Sequence, residues 1–215
     1  KNDITKLVYT DAGRQRFGRR VRKPYKGEEF IVEGDRICID HHTAHVYSAQ
    51  SYASQHAAFD GRGSGGYSGR WTGLTISADG QKKYKDLSIG KYLSYVGYAM
   101  NFKGMEVDFP GKVMGLQAYG TPDLELAKQI NADNILEMCG EWMYKGVDSR
   151  DSKFQDFVAT VHKACELIQF EYFKVFDPTK KISCSGGVML NTVINTELRK
   201  KYEIDILPHV YDGGL

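Results

Sequence analysis

Residues 181–195 read KISCSGGVMLNTVIN, and this stretch decides the fold class. Residues 181–184 predict a short strand, the glycines of 185–188 predict a tight turn, and 189–202 is predicted to be a helix. A further strand is predicted over 204–207. Strands that alternate with helices in this order are typical of α/β proteins.

The glycine turn at 185–188 is also a candidate binding site for phosphate. Glycine lets backbone N–H groups approach a ligand closely, and the start of the following helix favours negative charge. Many strand-to-helix turns carry glycine for steric reasons only, so both interpretations stay open at this point.

A second informative segment, DHHTAH at 40–45, directly follows the apolar run 37–39. His41 and His45 are four residues apart, which on a helix places both imidazoles on one face, as in paired metal ligands. The alternative is that one histidine caps the helix and the others are solvated. His42 lies about 100° away around such a helix, which predicts packing or a position beside the metal or facing substrate.

Between these segments the pattern continues as helices and strands. The histidine helix is expected to extend from Val46 to Ala53, and 59–66 is a glycine-dense turn. A hairpin is predicted from strands at 67–78 and 83–87 about the Asp79-Gly80 turn. Apolar residues at helical spacing predict two further helices whose apolar faces pack into the core, over 89–100 and 154–168.

The composition is that of a globular chain with a substantial core, since 41% of the 215 residues are hydrophobic. This length predicts one large domain or one and a half. No run approaches the roughly 20 apolar residues of a membrane span, and the first residues contain no apolar signal region, so we expect no membrane association and a cytoplasmic location. The cysteines form no CxxC pair and are expected to be buried small hydrophobic side chains: Cys38, Cys139, Cys165 and Cys184.

The net charge of +2 conceals an uneven distribution. Residues 1–26 contain nine Lys and Arg against Asp3 and Asp11. A basic segment of this kind can bind nucleic acid or a phosphorylated substrate, or it can be solvated surface. It begins abruptly, which suggests that the chain is a segment of a longer protein.

Four segments together resemble the NodU/CmcH-type O-carbamoyltransferases: DHHTAHVYSA, FDGRG, PGKVMGLQAYG and SGGVMLNTVIN. The final PHVYDGG also resembles the turn that closes the nucleotide site in this family. These enzymes are related to the TsaD and HypF proteins, which share an actin-like ATPase core. The resemblance implies an α/β fold of the actin-like (ASKHA, ribonuclease H-like) type over 35–215, partial at both ends, after a basic N-terminal segment 1–34 of unknown role.

The resemblance also implies a set of site residues. The metal, an iron-type divalent ion, would bind His41, His45, Asp60 and Asp212, and Mg²⁺ would accompany the nucleotide. His42 would accept the proton of the acceptor hydroxyl. ATP would contact residues of two glycine segments: Lys112, Gly115, Ser185, Gly186, Gly187, Val188 and Asn191. Gly115 and Gly120 would allow close approach of the backbone to the nucleotide. For Lys112, a surface lysine is the alternative.

The implied activity has two steps. Carbamoyl phosphate and ATP form carbamoyl-adenylate in a YrdC-like domain or partner chain, and the actin-like domain passes the carbamoyl group to an acceptor hydroxyl on a small molecule, sugar or nucleotide. Two alternatives remain. The first is TsaD-type tRNA threonylcarbamoyl transfer, with the basic segment contacting tRNA, and the second is a non-catalytic module that binds nucleotide and metal. Because the family's first strands and the YrdC-like region are not recognised, we expect the isolated chain to be inactive.

Overall fold

A computed structural model describes most of the chain from the histidine segment onward. The described residues are 7–10, 30–34, 36–49, 52–61, 73–85, 89–104 and 108–207. Three predicted features therefore lie outside the described residues: most of the basic segment, residues 62–66 of the glycine-dense turn, and the predicted ligand Asp212.

The larger of two sheets has five strands in the order β6-β5-β4-β7-β8. Strands β4, β5 and β6 form antiparallel pairs, whereas β7 and β8 run parallel to β4. The sheet is therefore mixed, and the fold is α/β as predicted. Its strands are β4 Gln55–Phe59, β5 Gly73–Ile76, β6 Lys82–Lys85, β7 Ile182–Ser185 and β8 Ile204–Ile206.

The smaller sheet precedes the histidine helix. It pairs β3 (Arg36–Ile39) in parallel with β1 (Leu7–Thr10) and antiparallel with β2 (Phe30–Glu33). Strand β3 runs through Asp40 directly into helix α1, His41–Ala49, which fixes where this helix begins. The Asp40 carboxylate accepts a hydrogen bond of 2.8 Å from the Thr43 N–H and so satisfies a donor in the first turn of α1.

Most of the remaining helices pack against one or both of two helices, Ile89–Ala99 and the longer Ser152–Phe173. Two of the remaining helices begin at an aspartate whose carboxylate accepts backbone N–H groups of the first turn, Asp123 for α4 and Asp151 for α6. The helices are α2 Ile89–Ala99, α3 Phe109–Leu116, α4 Leu124–Gln129, α5 Ile135–Lys145, α6 Ser152–Phe173 and α7 Thr192–Arg199.

The sheet lies between α1 and the other helices. Successive side chains of a strand point to opposite faces. On β4, Ala57 and Phe59 join the main core with α2 and α6, whereas Ala58 packs with Val46 of α1. The Phe59 ring stacks on Phe173 of α6 with ring centroids 6.3 Å apart. Helix α1 therefore covers one face of the sheet, and α2 and α6 cover the other.

Most predicted elements are confirmed, with three corrections. The hairpin forms about Gly80, which has a φ of 83°, but its first strand ends at Ile76 and not at residue 78; the predicted strand positions 67–72 and 86–87 lie outside the described residues. Helix α1 ends at Ala49 rather than Ala53, because the chain turns there to enter β4. The helix predicted over 189–202 is a 3₁₀ turn, Gly187–Leu190, followed by α7, because the Asn191 side chain accepts the Ile194 N–H and starts a new helix.

The cysteines are buried, as expected. Burial raises the pKa of Cys139 to about 12 and raises that of Cys184 further above its ordinary value, so both remain thiols at neutral pH. These side chains serve the core and not reactive chemistry.

Gly120, which was predicted to let the backbone approach nucleotide, has a different steric role. A Cβ at this position would lie 2.0 Å from the carbonyl oxygen of Gln155 on α6. The glycine therefore lets the 3₁₀ turn Gln117–Tyr119 pack against α6. At Gly115 of α3, by contrast, a Cβ would meet nothing within 4 Å.

This difference gives a matched pair of substitutions within one motif. We expect Gly120→Ala to destabilise the protein by about 1–3 kcal/mol, because the methyl group displaces the backbone of α6. Gly115→Ala should be neutral or stabilising by up to about 1 kcal/mol, since alanine favours the helix. Urea denaturation followed by circular dichroism measures both, and equal stabilities of the two variants would contradict the packing role of Gly120.

Candidate metal and nucleotide site

The site forms where two parallel strands end side by side. Strands β4 and β7 pair with Ala58 opposite Ser185, so the residues that follow them, Asp60 and Gly186, emerge at the same edge of the sheet. A Cβ on Gly186 would lie 2.2 Å from the Phe59 carbonyl oxygen, and its φ is 90°. Glycine is thus required at this position for both reasons. A Cβ on Gly187 would lie 3.2 Å from the Asp60 carboxylate.

Helix α1 places its histidines over this edge. The Ser185 hydroxyl donates a hydrogen bond of 3.4 Å to the carbonyl oxygen of His45, which ties α1 to the end of β7. The His41 and His45 rings face each other edge to face, with centroids 4.7 Å apart. The spacing of four residues therefore has the predicted effect of placing both rings on one helical face.

Three predicted metal ligands converge in the structure. One carboxylate oxygen of Asp60, Oδ2, lies 2.6 Å from His41 Nε2 and 3.5 Å from His45 Nε2. One ligand atom from each residue lies within 4.8 Å of the others. Two imidazole nitrogens and one carboxylate oxygen form a donor set that suits a divalent transition metal and leaves coordination positions open. These donor atoms therefore fit a divalent transition metal, as predicted. The fourth predicted ligand, Asp212, lies outside the described residues.

The charge of Asp60 supports this interpretation. Burial alone raises the pKa of its carboxyl group, but hydrogen bonds from His41 and His45, the charge of His41 and the Gly61 N–H together hold this pKa far below the usual range. The Gly61 N–H donates to the other carboxylate oxygen, Oδ1, at 2.6 Å. Asp60 is therefore an anion at neutral pH, which is the form that binds a metal.

His42, the predicted proton acceptor, has a different environment. Its side chain is completely buried, and its ring centroid lies 5.9 Å from that of His41. It therefore lies next to the metal triad in the protein interior, and its catalytic role stays a prediction.

The two predicted nucleotide segments differ in where their side chains lie. Lys112 is exposed on α3, with its ammonium 5.2 Å from the centroid of the Phe102 ring and within 3.3 Å of the Lys103 carbonyl oxygen. Another residue of the same helix contacts the start of α7, where Met114 Sδ lies 3.8 Å from the Thr192 hydroxyl. The structure thus brings α3 next to the first residue of α7, whereas the Lys112 ammonium lies at the Phe102 ring.

The glycine turn at 185–188 packs against helix α2. A Cβ on Gly90 of α2 would lie 3.1 Å from Val188 and 3.0 Å from the Gly61 backbone, so Gly90 lets both turns approach α2. Asn191 was predicted to lie one turn inside a helix, but it is the N-cap of α7 and is buried. Gly90 was missed because its only signal was its place in an ordinary amphipathic pattern.

The comparisons with known proteins bear on the fold. No protein family and no curated protein matches the sequence. A solved structure of the (R)-2-hydroxyglutaryl-CoA dehydratase component A from Acidaminococcus fermentans aligns with a TM-score of 0.54 and 14% sequence identity, over 84% of this chain and 66% of that protein. This chain therefore spans about two thirds of the length of a structure that has an actin-like ATPase fold. Within the described residues, no helix is long and apolar enough to cross a membrane.

The triad gives a direct test of metal binding. We expect His45→Ala and Asp60→Asn each to weaken binding of a divalent transition metal by about tenfold or more, because each removes one of three converging ligands. His56→Gln is the matched control, since His56 is a buried histidine on β4 that pairs with Ser183 at 2.6 Å, outside the triad. Elemental analysis of the purified proteins and calorimetric titration with metal give the readout. Equal metal content in all four proteins would show that the histidines are structural.

Proposed function

We propose that this chain is the actin-like part of an O-carbamoyltransferase, in which a nucleotide and a metal bind side by side. The observation that carries the proposal is that the His41, His45 and Asp60 triad and the Ser185–Gly187 turn occupy one edge of the sheet. The Gly187 Cβ position is only 3.2 Å from the Asp60 carboxylate. The carbamoyl chemistry is taken from the resemblance of the four sequence motifs to the NodU/CmcH enzymes.

The sheet order supports the actin-like assignment. Three antiparallel strands are followed by two that run parallel to the first, which is the strand arrangement of one ribonuclease H-like half of an actin-like fold. In open α/β sheets, ligands bind outside the carboxyl ends of the parallel strands. Asp60 and Gly61 after β4 and the glycine turn after β7 lie at this place, and we propose that a phosphate group binds between them.

Each part of the site has a role under this proposal. The Met189 N–H donates to the Gly186 carbonyl oxygen within the 3₁₀ turn. The N–H groups of Gly187 and Val188 come before it at the start of the turn, and under this proposal they donate to phosphate oxygens. Asp60, His41 and His45 hold a divalent ion, which we propose to be iron. Such an ion, when bound, polarises a carbonyl or phosphoryl oxygen and orients the reactants. The anionic Asp60 also offsets the positive charge of the ion.

The transfer step needs only carbamoyl-adenylate, an acceptor hydroxyl and a base. The acceptor hydroxyl oxygen forms a bond to the carbamoyl carbon of carbamoyl-adenylate, and the bond from this carbon to the phosphate oxygen breaks. AMP leaves with the bonding electron pair, and the hydroxyl proton passes to a base, for which His42 is the sequence-based candidate. The adenylate itself is made from carbamoyl phosphate and ATP by a YrdC-like domain or partner chain.

The activity test supplies the missing half-reaction. We expect no carbamoylated product when this chain alone is incubated with ATP, carbamoyl phosphate and a mixture of hydroxyl acceptors, because the adenylate-forming domain is not provided. Addition of a YrdC-like domain should give product detectable by mass spectrometry, and Asp60→Asn should abolish it. Product on tRNA alone would point to threonylcarbamoyl transfer. Robust product from the isolated chain would contradict the division of labour proposed here.

Nucleotide binding can be tested separately. We expect Gly187→Val to weaken MgATP binding by at least about tenfold, because the side chain would extend from the turn toward Asp60 and fill the space for phosphate. Gly140→Ala on α5 is the control, since its Cβ would meet nothing within 4 Å and it lies in another helix. Calorimetry measures both affinities. Undiminished affinity in Gly187→Val would place the nucleotide elsewhere.

A further inference from the structure

One buried histidine outside the metal triad contacts the end of the glycine turn. His162 lies in the middle of α6, and its Nε2 is 3.0 Å from the side-chain nitrogen of Asn191. Both residues are buried. Asn191 directly follows the Gly187–Leu190 turn and is the N-cap of α7. The histidine therefore contacts the residue at which the turn becomes a helix.

The Asn191 amide has one defined orientation. A backbone N–H can only donate, so the Asn191 atom 3.1 Å from the Ile194 nitrogen is the amide oxygen. His162 Nε2 lies 3.0 Å from the Asn191 NH₂ nitrogen and 3.3 Å from this oxygen. An unprotonated Nε2 therefore accepts from the NH₂ group, and a protonated Nε2 donates to the oxygen. In either form the ring contacts the Asn191 amide.

A second asparagine fixes the other part of the turn. The Asn195 side chain donates a hydrogen bond of 2.7 Å to the carbonyl oxygen of Met189, inside the turn. The Asn195 N–H in turn donates to the Asn191 carbonyl oxygen at 2.9 Å. The shape of the Gly187–Leu190 turn therefore depends on where Asn191 begins α7.

We propose that His162 is a positioning residue for the nucleotide turn: by its hydrogen bond to the Asn191 amide, it holds Asn191 as the cap of α7 and fixes the turn for phosphate binding. This inference rests on the proposed nucleotide function of the turn. Loss of the His162 ring would let the Asn191 amide rotate, which would direct its NH₂ group at the Ile194 N–H and remove the cap.

Hydrogen exchange and MgATP calorimetry on the full chain at pH 7.5 test the proposal with three variants. His162→Leu removes the hydrogen bond, His162→Gln keeps a side chain that can donate and accept, and Asn191→Asp can cap α7 with either oxygen. At pH 7.5 we expect His162→Leu to lower the exchange protection of the Ile194 amide about fivefold, which is the usual effect of losing a cap. In the Asn191→Asp background the same substitution should have little effect.

The affinity measurements compare wild type with His162→Leu and His162→Gln. His162→Leu should weaken MgATP binding about fivefold, whereas His162→Gln should retain most of the wild-type affinity, because its amide can still form a hydrogen bond with Asn191. An equal loss of Ile194 protection from His162→Leu in both backgrounds, or an unchanged MgATP affinity in His162→Leu, would overturn the proposal. Absence of MgATP binding by the wild type would instead contradict the proposed function, while the exchange data would still decide whether His162 maintains the cap.

Discussion

The parallel pairing of β4 with β7 is the constraint on which the site depends. These strands are separated by more than 120 residues in the chain, and their register places Ala58 opposite Ser185. Parallel strands end at the same edge of a sheet, so the acidic turn after β4 and the glycine turn after β7 become neighbours. No other feature of the sequence would place Asp60 next to Gly187.

A side chain at the opposite end of β4 stabilises the pairing. The Gln55 amide group donates to the carbonyl oxygens of Asp177 and Lys180 and accepts the Asp177 N–H, with distances from 2.7 to 3.2 Å. These bonds satisfy the buried amide and fix the loop that leads from α6 into β7. The start of β7 is therefore fixed relative to β4, and its end is fixed as a consequence.

Three glycines of the sequence motifs lack a side chain for two different reasons. Gly186 is needed because the β4 carbonyl at Phe59 occupies the space of a side chain, and Gly120 is needed because α6 does. Gly187 differs from both, since its missing side chain leaves space between the turn and the Asp60 carboxylate. The first two glycines serve packing, and the third is the one whose side-chain space faces the candidate ligands.

Local sequence determined the elements and part of the site. The HxxxH spacing placed two imidazoles on one face because a helix repeats every 3.6 residues, and the Asp79-Gly80 turn produced the hairpin. Tertiary structure alone decided the rest. Strand pairing brought Asp60, which the motif resemblance had named as a ligand, next to both histidines. The tertiary structure also directed the Lys112 ammonium to the Phe102 ring and made Asn191 a helix cap that contacts His162. These contacts join residues from distant parts of the chain, and sequence periodicity describes only neighbours within one helix or strand.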